Sequence, residues 1–166
     1  VRLAAALAVE PVREGSKSDE VGMSGQGRAG GGLAGAIVET AKSAARFLAQ
    51  PEGPRVAVFD TTGWDTHANQ GAAEGLLALR LATLDRALGT LSENLGETWR
   101  HTVVLLATEF GRTAAVNGTR GTDHGTGTAA LVLGGAVAGG HVAGTWPGLS
   151  ARALYQGRDL AATTDL

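Results

Sequence analysis

Apolar residues recur at Leu33, Ile37, Ala41, Ala44 and Phe47/Leu48, a spacing that predicts a helix from Leu33 to about Gln50 with one buried face. Pro51 and Gly53 stop it. The short run at 55–60 (RVAVFD) reads as a buried strand. The strongest periodicity follows it: Leu77, Leu81, Leu84, Leu88, Leu91 and Leu95 step by four and three alternately, marking one face of a helix over about 70–95. That seam lasts under three heptads, so packing on a sheet is its expected use rather than pairing in a coiled coil. Residues 101–108 (HTVVLLAT) form an uninterrupted apolar run, the pattern of a strand covered on both faces. Residues 130–135 (ALVLGG) and 141–146 (HVAGTW) add two further strands around a Gly-rich turn. Strand, helix, strand is a crossover unit, and crossovers join parallel strands. The expected fold class is therefore α/β, a mainly parallel sheet flanked by helices.

Ahead of this lies a different kind of sequence. VRLAAALAVE carries an apolar stretch from Leu3 to Val9 with no small-residue cleavage site after it, so it reads as a helix remnant rather than a signal peptide. Residues 13–32 are polar and glycine-rich, the composition of a loop or linker. The chain starts at Val1 without a Met and stops at Thr-Thr-Asp-Leu. The expected organisation is a remnant and linker over 1–32 and a partial α/β domain over 33–166, truncated at both ends and completed by a missing N-terminal part of the same protein. A sheet cut in this way is expected to expose apolar surface.

Composition narrows the function classes. Of 166 residues 26 are glycine, about double the usual share, while 43% are hydrophobic and 18% charged, so the chain has the makings of a core. Aromatics are only 4%, which leaves Ala, Leu and Val to build it. Lys and Arg number 14 against 16 Asp and Glu, with no basic tract, so a nucleic-acid partner is not expected. No apolar run reaches the length of a membrane span. The absence of cysteine excludes disulfides, thiolate metal sites and cysteine nucleophiles.

The candidate chemistry gathers after strand ends, where ligands bind in open α/β sheets. The first strand runs into Asp60-Thr-Thr-Gly-Trp-Asp65-Thr66-His67 and the second into Glu109-Phe-Gly-Arg112-Thr113. In extended backbone residues i and i+2 face one side, so Asp65 and His67 can meet one ion together. A third cluster, Gly121-Thr122-Asp123-His124-Gly125, lies in a glycine-rich loop. Its Asp123 and His124 face opposite ways by the same rule, one able to bind metal while the other orients a ligand. Carboxylates and imidazoles without thiolate suit Zn or Mn better than Mg or Ca. The candidate metal ligands are Asp65, His67, Glu109, Asp123 and His124, and Arg112 is a candidate contact for a phosphate or sulfate oxygen, or else a partner of Glu109. Read alone, any of these residues is as well explained as a cap or turn residue. His101 and His141 lie in or beside strands, outside the cluster. Gly25 to Gly30 spells GxGxxG without the preceding strand a dinucleotide site needs. No nucleophile is nominated, because no hydroxyl has a recognisable base beside it.

Six ordered segments, GWDTHANQ (63–70), ATEFGRT (107–113), NGTRGTDHGTG (117–127), TWPGL (145–149), GRDL (157–160) and TTDL (163–166), resemble the domain-of-unknown-function family 1501. That family is placed in the alkaline-phosphatase and sulfatase-like superfamily, so the resemblance implies an alkaline-phosphatase-like α/β sheet with divalent metals at strand ends. It further implies a small anionic phosphate- or sulfate-ester substrate and an exported, periplasmic setting. Asp65 and His67 resemble one metal-ligand pair and His124 a later histidine ligand. Glu109-Phe110 stands where the superfamily has an Asp-His pair, and the region of its Ser or Thr nucleophile lies upstream of this chain. Two readings follow, a metal-dependent hydrolase and a non-catalytic metal- or anion-binding member of the same superfamily.

Overall fold

The computed structural model describes residues 29–163, with side chains from residue 35 onward. The helix expected at Leu3 to Val9, most of the glycine-rich segment and the last residues of TTDL lie outside the described residues. The chain divides into two compact units, Val1–Thr61 with Ala82–Thr98, and Thr62–Leu81 with Trp99–Leu166.

In the first unit helix α1 spans Ala29–Leu48. It begins four residues before the position that periodicity marked, taking in Gly30, Gly31 and Gly32. Glycine weakens a helix by about 1 kcal/mol per residue, but extending an existing helix adds a hydrogen bond for each residue fixed. Its buried stripe is Ile37, Ala41 and Ala45, one residue per turn. The helix ends as expected, with Gln50 donating to the Phe47 carbonyl at 3.3 Å ahead of Pro51.

Helix α2 spans Leu76–Leu95. Its start is later than the leucine pattern suggested, because Gly71 and Gly75 take positive φ values of 75° and 100° and hold 70–75 as a loop. The Leu77 amide donates to the Gln70 carbonyl at 2.8 Å and closes that loop. Of the leucine seam, Leu91 and Leu95 are buried with Ala87, whereas Leu81 is exposed. Gly96, at φ 52°, ends the helix in the left-handed conformation that favours glycine. A 3-10 turn then covers Gly96–His101.

Among the described residues, the second unit contains four short strands. Strand β1 (Val104–Leu106) pairs with β4 (Leu131–Leu133), and β2 (Gly111–Arg112) pairs with β3 (His124–Gly125). Both ladders are antiparallel; Leu105 faces Val132, and Arg112 faces His124. The apolar runs at 101–108 and 130–135 thus hold true strands, each shorter than its run. Those at 55–60 and 141–146 form no ladder among the described residues. An apolar run marks extended backbone, but a ladder needs a partner to take its N–H and C=O groups, and the run does not name one. One face of the β1–β4 ribbon is open, with Leu105 65% and Val132 55% exposed, and Val142 is 99% exposed. No helix among the described residues is long and apolar enough to cross a membrane.

Candidate metal centre

The site belongs wholly to the second unit and grows from the segment 63–70. Alternation works there as extended backbone requires: Thr66 is buried, while Asp65 and His67 on either side are exposed. Beneath them Gln70 Oε1 accepts the hydroxyls of Thr66 (2.6 Å) and Thr122 (2.7 Å), tying this segment to the loop that carries Asp123 and His124. The Thr122 amide donates to the Thr66 carbonyl at 3.3 Å, and the Asn69 amide to the Thr119 carbonyl at 3.0 Å. Gly121 makes the approach possible: a Cβ at that position would run into the His67 carbonyl.

Asp65, His67 and His124 each offer a ligand atom within 4.8 Å of the others. Asp65 Oδ1 lies 3.0 Å from His67 Nε2 and 2.9 Å from His124 Nε2. All three side chains are about half exposed, so the cluster opens to solvent. Asp123 touches the cluster differently, its Oδ1 lying 3.0 Å from Nδ1 of His67. Phe110 stacks on His124 with ring centroids 4.5 Å apart, and His124 stacks on His67 at 5.1 Å.

Arg112 is bound to the site rather than to Glu109. Its Nη1 donates to Asp65, its Nε to Thr122 Oγ1 at 3.0 Å and its Nη2 to the Thr122 carbonyl. Glu109 sits on an exposed bend before β2 and makes no hydrogen bond or ion pair among the described residues. Of the candidate ligands, therefore, the fold brings Asp65, His67 and His124 together, seats Asp123 behind His67 and leaves Glu109 outside. His101 and His141 also stand apart from the group.

The electrostatics favour charged carboxylates. The Arg112 guanidinium, and then the His124 hydrogen bond, hold Asp65 below the usual carboxylate range. Asn117 and then His67 do the same for Asp123.

The donor set fits a divalent metal. One carboxylate oxygen and two imidazole nitrogens are the ligands that Zn and Mn accept, and three protein ligands leave a position for another molecule. His67 adds a sharper test. Its two nitrogens face two carboxylates, yet a neutral imidazole has one N–H and serves only one of them. The other nitrogen then opposes an oxygen lone pair, and a cation between the two relieves that opposition.

Three residues at the site escaped the sequence reading. Asn117 carried only a turn signal, being followed by Gly118. Phe110 entered only as the residue beside Glu109, and Gln70 only as the last residue of the segment 63–70.

No curated protein and no solved structure matches the chain. Residues 16–166 match the family described as "Protein of unknown function (DUF1501)". That range takes in the second unit, the first unit from residue 16 onward and every residue of the cluster, and the chain belongs to the DUF1501 family.

Proposed function

We propose that Asp65, His67 and His124 hold a divalent ion, Zn or Mn, in a hydrolase-like domain acting on phosphate or sulfate esters. The observation that carries this reading is the convergence of the three donors on one exposed face, within 4.8 Å of one another. The chemistry an ion supplies there is polarisation of an ester oxygen. The chain's own residues do the rest. Asp65 and His67 orient from one extended segment, His124 from β3, and Phe110 stacked on His124 limits its ring rotation. Arg112 brings positive charge to the same carboxylate and keeps it ionised. The setting proposed for this site, following the resemblance of the motifs, is an alkaline-phosphatase-like α/β sheet in an exported protein.

A second reading, metal or anion binding without turnover, has its own observation. The threonine hydroxyls nearest the cluster are committed elsewhere: Thr66 and Thr122 donate to Gln70, and Thr119 Oγ1 lies 2.6 Å from the His67 carbonyl. None rests on an imidazole base.

Metal content per chain, measured on purified protein beside an Asp65→Ala/His67→Ala variant, tests the site. Stoichiometric Zn or Mn that the variant loses is the expected result; absence of metal from both after loading overturns it. A panel of phosphate and sulfate esters offered to the loaded full-length protein then separates the two readings. Hydrolysis supports the first, and binding without hydrolysis supports the second.

A further inference from the structure

Asn117 makes an unusual set of contacts for a residue in an exposed turn. Its Nδ2 donates to the His67 carbonyl and to Asp123 Oδ1, each at 2.9 Å. Its Oδ1 accepts the amides of Thr119 (3.0 Å) and Gly121 (2.9 Å) and lies 2.9 Å from Thr119 Oγ1. Both ends of the carboxamide are thus used, and the side chain joins the segment carrying His67 to the loop carrying Asp123. The oxygen it holds on Asp123 is the one that meets Nδ1 of His67, at 3.0 Å.

Both carboxylates that His67 meets only accept hydrogen bonds, at equal distances of 3.0 Å. Asp65 Oδ1 already has Arg112 and His124 beside it, while Asp123 Oδ1 has only Asn117 among the described residues, which favours the proton on His67 Nδ1. The Nε2 lone pair is then left facing Asp65 and His124, the side on which the ligand atoms gather. We infer that Asn117 and Asp123 are positioning residues: Asn117 fixes Asp123, and Asp123 fixes both the tautomer and the orientation of His67 for metal binding through Nε2. The inference rests on the proposed metal site, and it moves Asp123 from ligand to support. The arrangement follows the general rule that a metal-bound imidazole gives its other N–H to a carboxylate, whose loss costs about 10–100-fold in metal affinity.

Two measurements on the full chain test it. Long-range 15N–1H NMR of the metal-free protein reads the His67 tautomer directly and needs no variant. Protonation at Nδ1 is expected, and protonation at Nε2 alone overturns the inference. The second measurement is Zn affinity by competition with a chromogenic chelator, for wild type, Asn117→Ala and Asp123→Ala, with circular dichroism as the check on folding. Affinity is expected to fall about 10–100-fold in both folded variants, with the His67 nitrogen shifts moving toward a tautomer mixture. Wild-type affinity with unchanged shifts overturns it, and abolition of binding only in Asp123→Ala, with the His67 shifts unmoved, returns Asp123 to the ligand set. If Asn117→Ala does not fold, Asp123→Ala and the wild-type tautomer still decide. If wild type binds no metal, the functional reading fails while the tautomer independently judges the relay.

Discussion

Arg112 illustrates how much one side chain at this site is asked to do. Three of its nitrogens are engaged, two with Thr122 and one with Asp65, in the planar fork that lysine cannot reproduce. Its hydrogen bond is the largest influence holding Asp65 below the carboxylate range. Arg112→Gln is therefore expected to raise the Asp65 titration midpoint toward its ordinary value, read by 13C NMR of the carboxyl group; an unmoved midpoint would assign the depression to the histidines. Gly121 makes an equally specific prediction. Because a Cβ there meets the His67 carbonyl, Gly121→Ala must push the two segments apart. The expected cost is about 1–3 kcal/mol, typical of overpacking at a tight contact, seen as a lowered denaturation midpoint. Asp65 and His67 were legible as a pair because alternation along extended backbone puts them on one side, whereas the GTDHG loop left open which of Asp123 and His124 meets them. Asn117 and Phe110 were not legible, since their roles depend on which segments meet, and a turn residue and an aromatic carry no sign of that. Glu109 read as a ligand through its place after a strand, but a position along the chain does not fix the side toward which a bend turns.

Among the elements, the helices were easier to read than the strands. A helix satisfies its own backbone, so the apolar period shows both its existence and its buried stripe; a strand depends on a partner elsewhere in the chain. Ile37 and Ala41 of α1, and Leu91 and Leu95 of α2, occupy the positions that periodicity gave them. The parallel crossover was inferred from the order strand, helix, strand, whereas the ladders of the described residues join β1 to β4 and β2 to β3, each antiparallel. Periodicity also overstated α2, for Leu81 lies on the predicted seam yet is exposed. The energetics should follow the observed burial. Leu91→Ala is expected to cost about 2–5 kcal/mol in urea unfolding, as for other buried leucines, and Leu81→Ala less than 1 kcal/mol. Equal costs at the two positions would mean that the whole seam is covered in solution.

At the scale of the whole molecule, acid sensitivity has an identifiable source away from the cluster of Asp65, His67 and His124. Asp159 is buried; burial raises its pKa, but hydrogen bonds from the Thr126 amide and hydroxyl and from the Leu160 amide outweigh it, so its carboxyl lies below the ordinary 3.8. A depressed folded value stabilises the native state above the ordinary carboxylate range, and that contribution is lost as pH falls through the folded value. Stability is expected to decline on acidification below about pH 4, and Asp159→Asn should flatten that decline while lowering stability at neutral pH. Thermal melts at a series of pH values check both. The open face of the β1–β4 ribbon bears on handling in the same experiments, because exposed Leu105 and Val132 give unfolding chains a place to associate.

The turn at Asn117-Gly118 also sets a limit on how long the site can last. Asparagine followed by glycine is the sequence in which the next backbone nitrogen most readily attacks the side-chain amide, expelling ammonia and closing a cyclic imide that water then opens to an acid. Here the carboxamide is held at both ends, by His67 and Asp123 on one side and by Thr119 and Gly121 on the other, which restrains it from swinging into the path of that attack. Once the conversion occurred, a new negative charge would face Asp123, and the two segments would repel where they are now joined. The folded site thus guards its own covalent integrity, and peptide mapping of aged samples should find this asparagine preserved in native protein and lost steadily in urea.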